Sequence, residues 1–406
     1  MISINERQND ILRLVSQLDI TPTMYNNAVE KYTAIAGFLA ECGITADMYP
    51  QGSFAFGTVV RPNTKDPDAS YDLDFICQVK MKRSDITPSK LRQMIENALR
   101  SSDRYKGKLD VYDECFTIQY ADVNGVGFTI DIVPAADETD ENKLNLMNKS
   151  QYPNLLSTAI VIPRCDEHKS YSWITNNPKG FRTWFDSINQ PFLIARKSEI
   201  RQSIFEANRH LYASVEEVPN ALERSSMQRV IQILKFHRNI YYSKVHDGDD
   251  LKPISAIINK LVAEISQLVN PTTDTFSLLY CVLSELDCYS NHLYLSNESF
   301  LSSYGSRAAI THAGNRWFIA NPADPADNLA NKWNEDPRIP EIFFKWIKTC
   351  KEDLLASMDL PDDRFYTTLA NAFGPNTVQK TLGTKYPHSL PKPIIPASAS
   401  KPYRTE

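Results

Sequence analysis

The chain has 406 residues, which at roughly 100–200 residues per domain implies two domains or one body of two fused lobes. Hydrophobic residues make up 42% and charged residues 23%, an ordinary globular mixture that excludes wholesale disorder. Lys and Arg total 44 against 49 Asp and Glu, a net charge of -5, so the basic excess expected of a protein that holds long nucleic acid is missing, while a small phosphorylated ligand in a locally basic pocket stays open.

At the N-terminus, Ile11, Leu12, Val15 and Leu18 form one helical stripe, and a second helical run passes through Ala34 to Leu39 before Gly43 stops it. Glu6 and Asp10 break any apolar leader, and no apolar run approaches the roughly 18 residues of a membrane span. Residues 44–51 read as a strand, 52–60 as a turn into a short helix, and 61–70, with two prolines, as a loop. Tyr71 to Val79 is the clearest strand, with Leu73, Phe75, Cys77 and Val79 alternating against Asp72, Asp74, Ile76 and Gln78. A helix over 89–99 with Ser89 as cap follows, then strands over 111–120 and 127–134 around the turn signal Asn124-Gly125. Beyond about Pro163 long helical patterns dominate, notably 226–243 and 254–268; in the first, Met227, Val230, Ile231, Leu234, His237 and Tyr241 share a stripe, which makes His237 a core histidine. From Tyr386 a Pro-rich tail does not have the composition to pack.

Seven cysteines, scattered and without a CxxC pair, fit reduced thiols and a cytoplasmic setting. Cys165-Asp166-Glu167-His168 has half the ligands of a zinc site and no second pair nearby, which favours a solvated loop.

Asp72 and Asp74 sit two apart on one strand, hence on one face, and mutual repulsion of two carboxylates calls for a divalent cation; oxygen-only ligation suits Mg²⁺. Asp131 lies on a later strand, opposite the apolar face of Phe128, Ile130 and Ile132. Alternation on any half-solvated strand also produces a D-x-D, so the upstream residues matter. Gln51-Gly52-Ser53 opens a short helix, where backbone N–H groups and a hydroxyl can cradle a phosphate and Gly52 permits close approach.

A Gly-Ser step, then about twenty residues later a strand bearing D-x-D, then a further strand aspartate: in this order the sequence resembles the DNA polymerase beta-like nucleotidyltransferases. Within that superfamily it resembles the bacterial CD-NTase family, relatives of cyclic GMP-AMP synthase and oligoadenylate synthetase that include the DncV-like enzymes. Ile233-Leu234-Lys235-Phe236-His237-Arg238 with Leu251-Lys252-Pro253-Ile254-Ser255, Asn177-Pro178-Lys179-Gly180-Phe181, and Asn321-Pro322 with Asn328 and Lys332-Trp333-Asn334 carry the narrower likeness, which covers roughly Asp19 to Asp353.

The resemblance implies an α+β fold: a nucleotidyltransferase lobe with a mixed sheet and N-terminal helices over 1–163, an oligoadenylate synthetase-like helical lobe closing the cleft over 164–385, and a tail over 386–406. It implies that Asp72, Asp74 and Asp131 hold two Mg²⁺ ions, or Mn²⁺ in their place, and are catalytic. Gln51, Gly52 and Ser53 would bind the triphosphate, Lys235 and Ser255 would grip the donor's phosphates, and Phe56 would stack near a base. Read alone, Lys235 is equally a solvated helix lysine and Ser255 an N-cap. The implied activity joins nucleoside triphosphates, ATP and GTP foremost, into a cyclic di- or trinucleotide messenger in anti-phage (CBASS-type) defence. It further implies that no obligatory nucleic acid or membrane takes part; for the tail, an operon-encoded regulator or ubiquitin-transfer-like protein acting on it is one reading and a plain disordered end the other. Competing readings are a nucleotidyltransferase acting on an RNA end or other acceptor, and a non-catalytic nucleotide-binding sensor.

Overall fold

The computed structural model describes residues 2–60, 71–120, 128–305, 307 and 309–386, the side chains of 71 and 72 excepted. The predicted loop 61–70, the Asn124-Gly125 turn and the tail beyond Tyr386 lie outside the described residues. The fold is α+β, a mixed sheet joined to a larger body of helices.

In the first part of the chain α1 (Ile4–Ser16), α2 (Pro22–Glu41), β1 (Ala46–Pro50), α3 (Gly52–Ala55), β2 (Tyr71–Lys82), α4 (Pro88–Ser101), β3 (Leu109–Val111), β4 (Phe116–Tyr120), β5 (Phe128–Asp137), α5 (Asp140–Met147), β6 (Ile160–Cys165) and β7 (Tyr171–Asn176) follow in order. The sheet runs β1-β2-β5-β4-β3; β2 and β5 are parallel neighbours at its centre, and β6 pairs antiparallel with the end of β5 and with β7. Period-two alternation sends Leu73, Phe75, Cys77, Val79, Phe116, Ile118, Phe128, Ile130 and Ile132 to one face, where α2 and α4 cover them through Ala28, Ile35, Leu39, Leu91, Ile95 and Leu99. The acidic positions of β2 and β5 therefore turn to the opposite face.

The helical lobe comprises α6 (Pro178–Ala195), α7 (Lys197–Ala207), α8 (Ser226–Tyr242), α9 (Gly248–Leu251), α10 (Ser255–Ser266), α11 (Thr275–Tyr289), α12 (Asn297–Tyr304), the short strands β8 (Thr311–Ala313), β9 (Arg316–Phe318), β10 (Ala320–Asn321) and β11 (Asp324–Asn328), and α13 (Asn331–Glu335), α14 (Arg338–Leu354), α15 (Asp362–Phe373) and α16 (Pro375–Leu382). α8 is its central element, opened by a Ser225/Gln228 capping box and buried along nearly its whole length. His237 is indeed a core side chain, accepting at Nδ1 from Trp346 Nε1 (3.1 Å) and meeting Asp353 at Nε2 (3.1 Å).

Four expectations change. The sheet continues to Asn176, so Pro163 lies inside β6 rather than at a lobe boundary; β6 has a partner only on its β7 side there, and an edge position tolerates a residue without an N–H. α1 packs its Ile11, Leu14 and Val15 stripe into the helical lobe, where buried Arg7 donates to the carbonyls of Met358 (2.8 Å) and Leu360 (2.6 Å) and pairs with Asp362 (2.6 Å). The cap of α4 is Thr87, accepting from Lys90 N with Pro88 at the first helical position, and not Ser89. Tyr386 belongs to the packed body: its hydroxyl donates to Asp10 Oδ2 at 2.7 Å. Among the described residues no helix is long and apolar enough to cross a membrane.

Candidate active site

β2 and β5 bring the acidic residues together by register. Asp74 and Asp131 are Cα partners across the parallel pair, and Asp72 is the partner of Thr129. Asp72's side chain lies outside the described residues. Asp131 is also opposite Thr117 of β4, whose hydroxyl donates to Asp131 Oδ1 at 2.6 Å and fixes one carboxylate oxygen. Burial and the nearby Asp131 and Asp74 carboxylates push the Cys115 thiol up, so it stays protonated beside this negative charge.

The Gly52-Ser53 turn is built onto the same carboxylates. Gln51 N donates to the Asp74 carbonyl at 2.8 Å, tying the start of α3 to β2. Gly52 has φ +58°, and a Cβ there would stand 2.7 Å from Asp74 Oδ2. Glycine is thus required twice, by the left-handed backbone and by the carboxylate pressed against it. The turn leaves α3 through Gly57 (φ +63°), where Thr58 N donates back to Ser53 O at 2.9 Å.

Three side chains on one face of α8 hold the exit of that turn. Gln228 Nε2 donates to Phe56 O (2.7 Å), Lys235 Nζ to Thr58 O (2.9 Å) and Gln232 Nε2 to Val59 O (3.0 Å). The spacing i, i+4, i+7 sets them in a row, so the helical lobe grips the peptide that carries Gly52 and Ser53. Lys235 is 5% exposed and no solvated lysine; burial, helped by Arg238, pushes its pKa down to about 7, against the pull of Asp74. Arg238, itself lowered to about 10 by burial, donates to Pro253 O (2.9 Å) and Ser255 Oγ (3.3 Å). Ser255 is the first residue of α10 and Ile254 stands at the cap, so the N-cap reading of Ser255 does not hold and its hydroxyl is at the Arg238 guanidinium instead. Gln228 and Gln232 were not singled out from the sequence, although their spacing from Lys235 carries the signal.

Between the lobes a cavity of about 240 Å³ is lined by Gln51, Gly52, Phe56, Asn177, Phe181 and Asn321, among others. Phe56 borders it but is 8% exposed, its ring 4.9 Å from that of Phe185 and 5.4 Å from that of Phe181, which leaves little face for a base. The recurrent asparagines prove architectural. Asn177 caps α6 by accepting from Gly180 N (2.9 Å) and donates to Leu155 O and Ala323 O; a Cβ on Gly180 would meet its amide at 2.4 Å. Asn328 and Asn334 bind the backbone of Trp317 and Ile319. Cys165-Asp166-Glu167-His168 forms the β6–β7 turn, with Asp166 Oδ1 accepting from the N–H groups of His168 (2.9 Å) and Ser170 (2.8 Å); among the described residues no group of three His, Cys, Asp or Glu side chains is placed to hold a metal.

Residues 46–134, which carry the Gly-Ser turn and all three aspartates, match the family described as "Cyclic GMP-AMP synthase DncV-like, nucleotidyltransferase domain". The chain is 22% identical over 346 residues to a c-di-GMP synthase of Roseivirga ehrenbergii, an alignment covering 84% of this chain and 76% of that one. Its fold is similar to the Bradyrhizobium diazoefficiens CD-NTase CdnG, solved in complex with GTP (TM-score 0.64, 19% identity, 94% of this chain and 99% of that one). It is likewise similar to CdnC of E. coli MS115-1, solved with ATP (TM-score 0.57, 13% identity, 90% and 97%). Over residues 46–134, where the Gly-Ser turn is seated on paired strand aspartates, the chain thus matches the DncV-like nucleotidyltransferase domain, and its α+β fold is similar to that of the CD-NTases.

Proposed function

We propose that this chain is a nucleotidyltransferase that joins nucleoside triphosphates into a cyclic di- or trinucleotide, a second messenger of CBASS-type anti-phage defence made in the cytoplasm. The observation that carries the reading is the contact of Gly52 with the Asp74 carboxylate, on the strand whose parallel neighbour sets Asp131 opposite. Nothing but glycine fits there, so a phosphate held by the Gly52-Ser53 amides would lie against the carboxylates.

Asp74 and Asp131, half-buried carboxylates on adjacent strands, fit a hard divalent cation, and with Asp72 they would hold two Mg²⁺ ions or Mn²⁺ in their place. When bound, they would supply acidity to a ribose hydroxyl and charge neutralisation to the leaving pyrophosphate. Asp131 is the group to receive the hydroxyl proton, its carboxylate oriented by the Thr117 hydroxyl bond to Oδ1. Gln51, Gly52 and Ser53 orient the triphosphate, and Lys235, buried on the α8 side, brings positive charge. Ser255 sits where Arg238 can hold it toward the same cleft. The tail after Tyr386 is the segment on which an operon-encoded regulator or ubiquitin-transfer-like protein would act.

Incubating the protein with the four nucleoside triphosphates and Mg²⁺, without another acceptor, should give a nuclease-mappable cyclic oligonucleotide on mass spectrometry. Pyrophosphate release only on addition of RNA or another acceptor would refute the reading.

A further inference from the structure

On the outer side of the helical lobe, α1, α7 and the start of α8 enclose a second cavity of about 390 Å³, within the size range of small-molecule sites. Arg13, Arg196, Arg224 and Arg229 line it, and Glu199 is its lone carboxylate; Leu12, Ile200, Ile204 and Leu222 give an apolar wall. The charges do not cancel. Arg229 is paired with Asp19 (2.7 Å) and Arg196 with Glu199 (2.9 Å). Arg13 has no carboxylate partner among the described residues. Arg224 is 8% exposed and, among the described residues, donates only to the carbonyls of Ala221 and Glu223 (both 2.7 Å), while the Glu223 carboxylate is taken by Arg201 (2.7 Å). Its Nε is buried with no partner among the described residues, an arrangement that costs free energy unless something else supplies the acceptor. Burial lowers the Arg224 pKa only to about 10, so the group remains a cation at neutral pH.

The geometry points to a binding site for a small anion with an apolar body, a phosphate or carboxylate on a ring or short chain, between α1, α7 and α8. The site also touches the nucleotide turn from behind. A Cβ on Gly57 would stand 3.1 Å from Arg224 Nη1 and 2.7 Å from Gln228 Nε2, so the guanidinium rests against the segment that Gln228 holds at Phe56 O. An anion that draws Arg224 toward the cavity changes the packing on Gly57, and with it the setting of Gly52 and Ser53. Only this second step rests on the nucleotidyltransferase reading.

Isothermal titration of the full chain with phenyl phosphate and with benzoate, at constant ionic strength and without Mg²⁺, tests the site apart from turnover. At least one should bind saturably at one site, phenyl phosphate alone marking a phosphate ligand and benzoate alone a carboxylate. Arg13→Gln, exposed and safe for folding, should weaken that binding about tenfold or more, as loss of a charge-assisted contact does, and Arg224→Met should abolish it. Lys235→Met should leave it unchanged. Lack of saturable binding by either anion, or weakening by Lys235→Met with none by Arg13→Gln, would overturn the site. The coupling is read from the Kd for ATP with and without saturating probe: a shift supports it, and a Kd within twofold refutes it.

Discussion

Replacing Gly52 by Ala adds one methyl group at the point where backbone and carboxylate meet. The backbone must then hold φ +58° with a Cβ, at a cost of about 1–2 kcal/mol. The new atom stands 2.7 Å from Asp74 Oδ2, about 0.7 Å short of ordinary van der Waals contact, so turn or carboxylate must move by that amount. The turn is pinned on one side by Gln51 N to Asp74 O and on the other by Gln228, Lys235 and Gln232, which leaves the Asp74 side chain as the part that yields. A displacement approaching 1 Å at a reacting centre costs on the order of 10²-fold in rate. The G52A enzyme should therefore keep its far-ultraviolet spectrum and lose only about 1–2 kcal/mol of stability, while kcat/KM for pyrophosphate release falls about 10²-fold or more. Steady-state kinetics beside urea denaturation measures both. A kcat/KM within threefold of wild type would refute the reasoning, since it would mean that Gly52 does not set the position of the Asp74 carboxylate.

Asp131→Asn should abolish turnover without unfolding the chain, and Thr117→Val, which frees the fixed oxygen of Asp131, should lower kcat about tenfold while leaving the triphosphate KM within a factor of two; a KM effect alone would contradict the role given to Thr117. Lys235, lowered to about 7 in the free protein, is largely neutral at pH 8, and a bound triphosphate raises its pKa again, so ATP binding at pH 8 should take up close to one proton. Calorimetry in buffers of different ionisation heat reads that uptake, which should vanish in Lys235→Met and shrink toward pH 6, where the lysine is already charged. The same depression means that the unfolded chain binds the extra proton between about pH 7 and 10.5, so the lysine's burden on stability is full below pH 7 and lifts as the pH rises. Tyr386→Phe removes the buried bond to Asp10 and should cost about 1–2 kcal/mol in urea unfolding without changing kcat.

The strands that carry Asp74 and Asp131 were legible because period-two alternation is a local signal: Leu73 and Phe75 face the core, so Asp74 cannot, and the same holds for Ile130, Asp131 and Ile132. The Gly-Ser turn was legible from residue type and order. Lobe membership was not. The stripe of α1 reads the same whether it packs on the sheet or, as it does, on α8 and α16, because amphipathicity says that a face is buried and not against what. Pro163 looked like a boundary because long helical patterns dominate beyond it, and the pairing of β6 with β7 shows that the sheet runs on past it. Phe56 is apolar and adjacent to the turn, which fits a base platform and a core residue alike; Phe181 and Phe185, more than a hundred residues away, decide for the core.

Gln228, Gln232 and Lys235 make the same kind of bond, side chain to backbone carbonyl, from one face of one helix to one loop. Two of the three are neutral amides, which shows that neutral groups suffice to join the lobes here. Lys235 makes its bond at a penalty the glutamines avoid, since a buried ammonium with no paired carboxylate among the described residues is costly enough to drive its pKa down to about 7. A local rule broken without structural gain marks a site shaped by something other than stability. What Lys235 offers that a glutamine lacks is a positive charge behind the turn, within reach of the field of Asp74, and a charge that becomes favourable only when negative charge arrives. Placed on the helix that also holds the Phe56 and Val59 carbonyls, it would, under the proposed function, tie the arrival of an anionic substrate to the contact between the lobes.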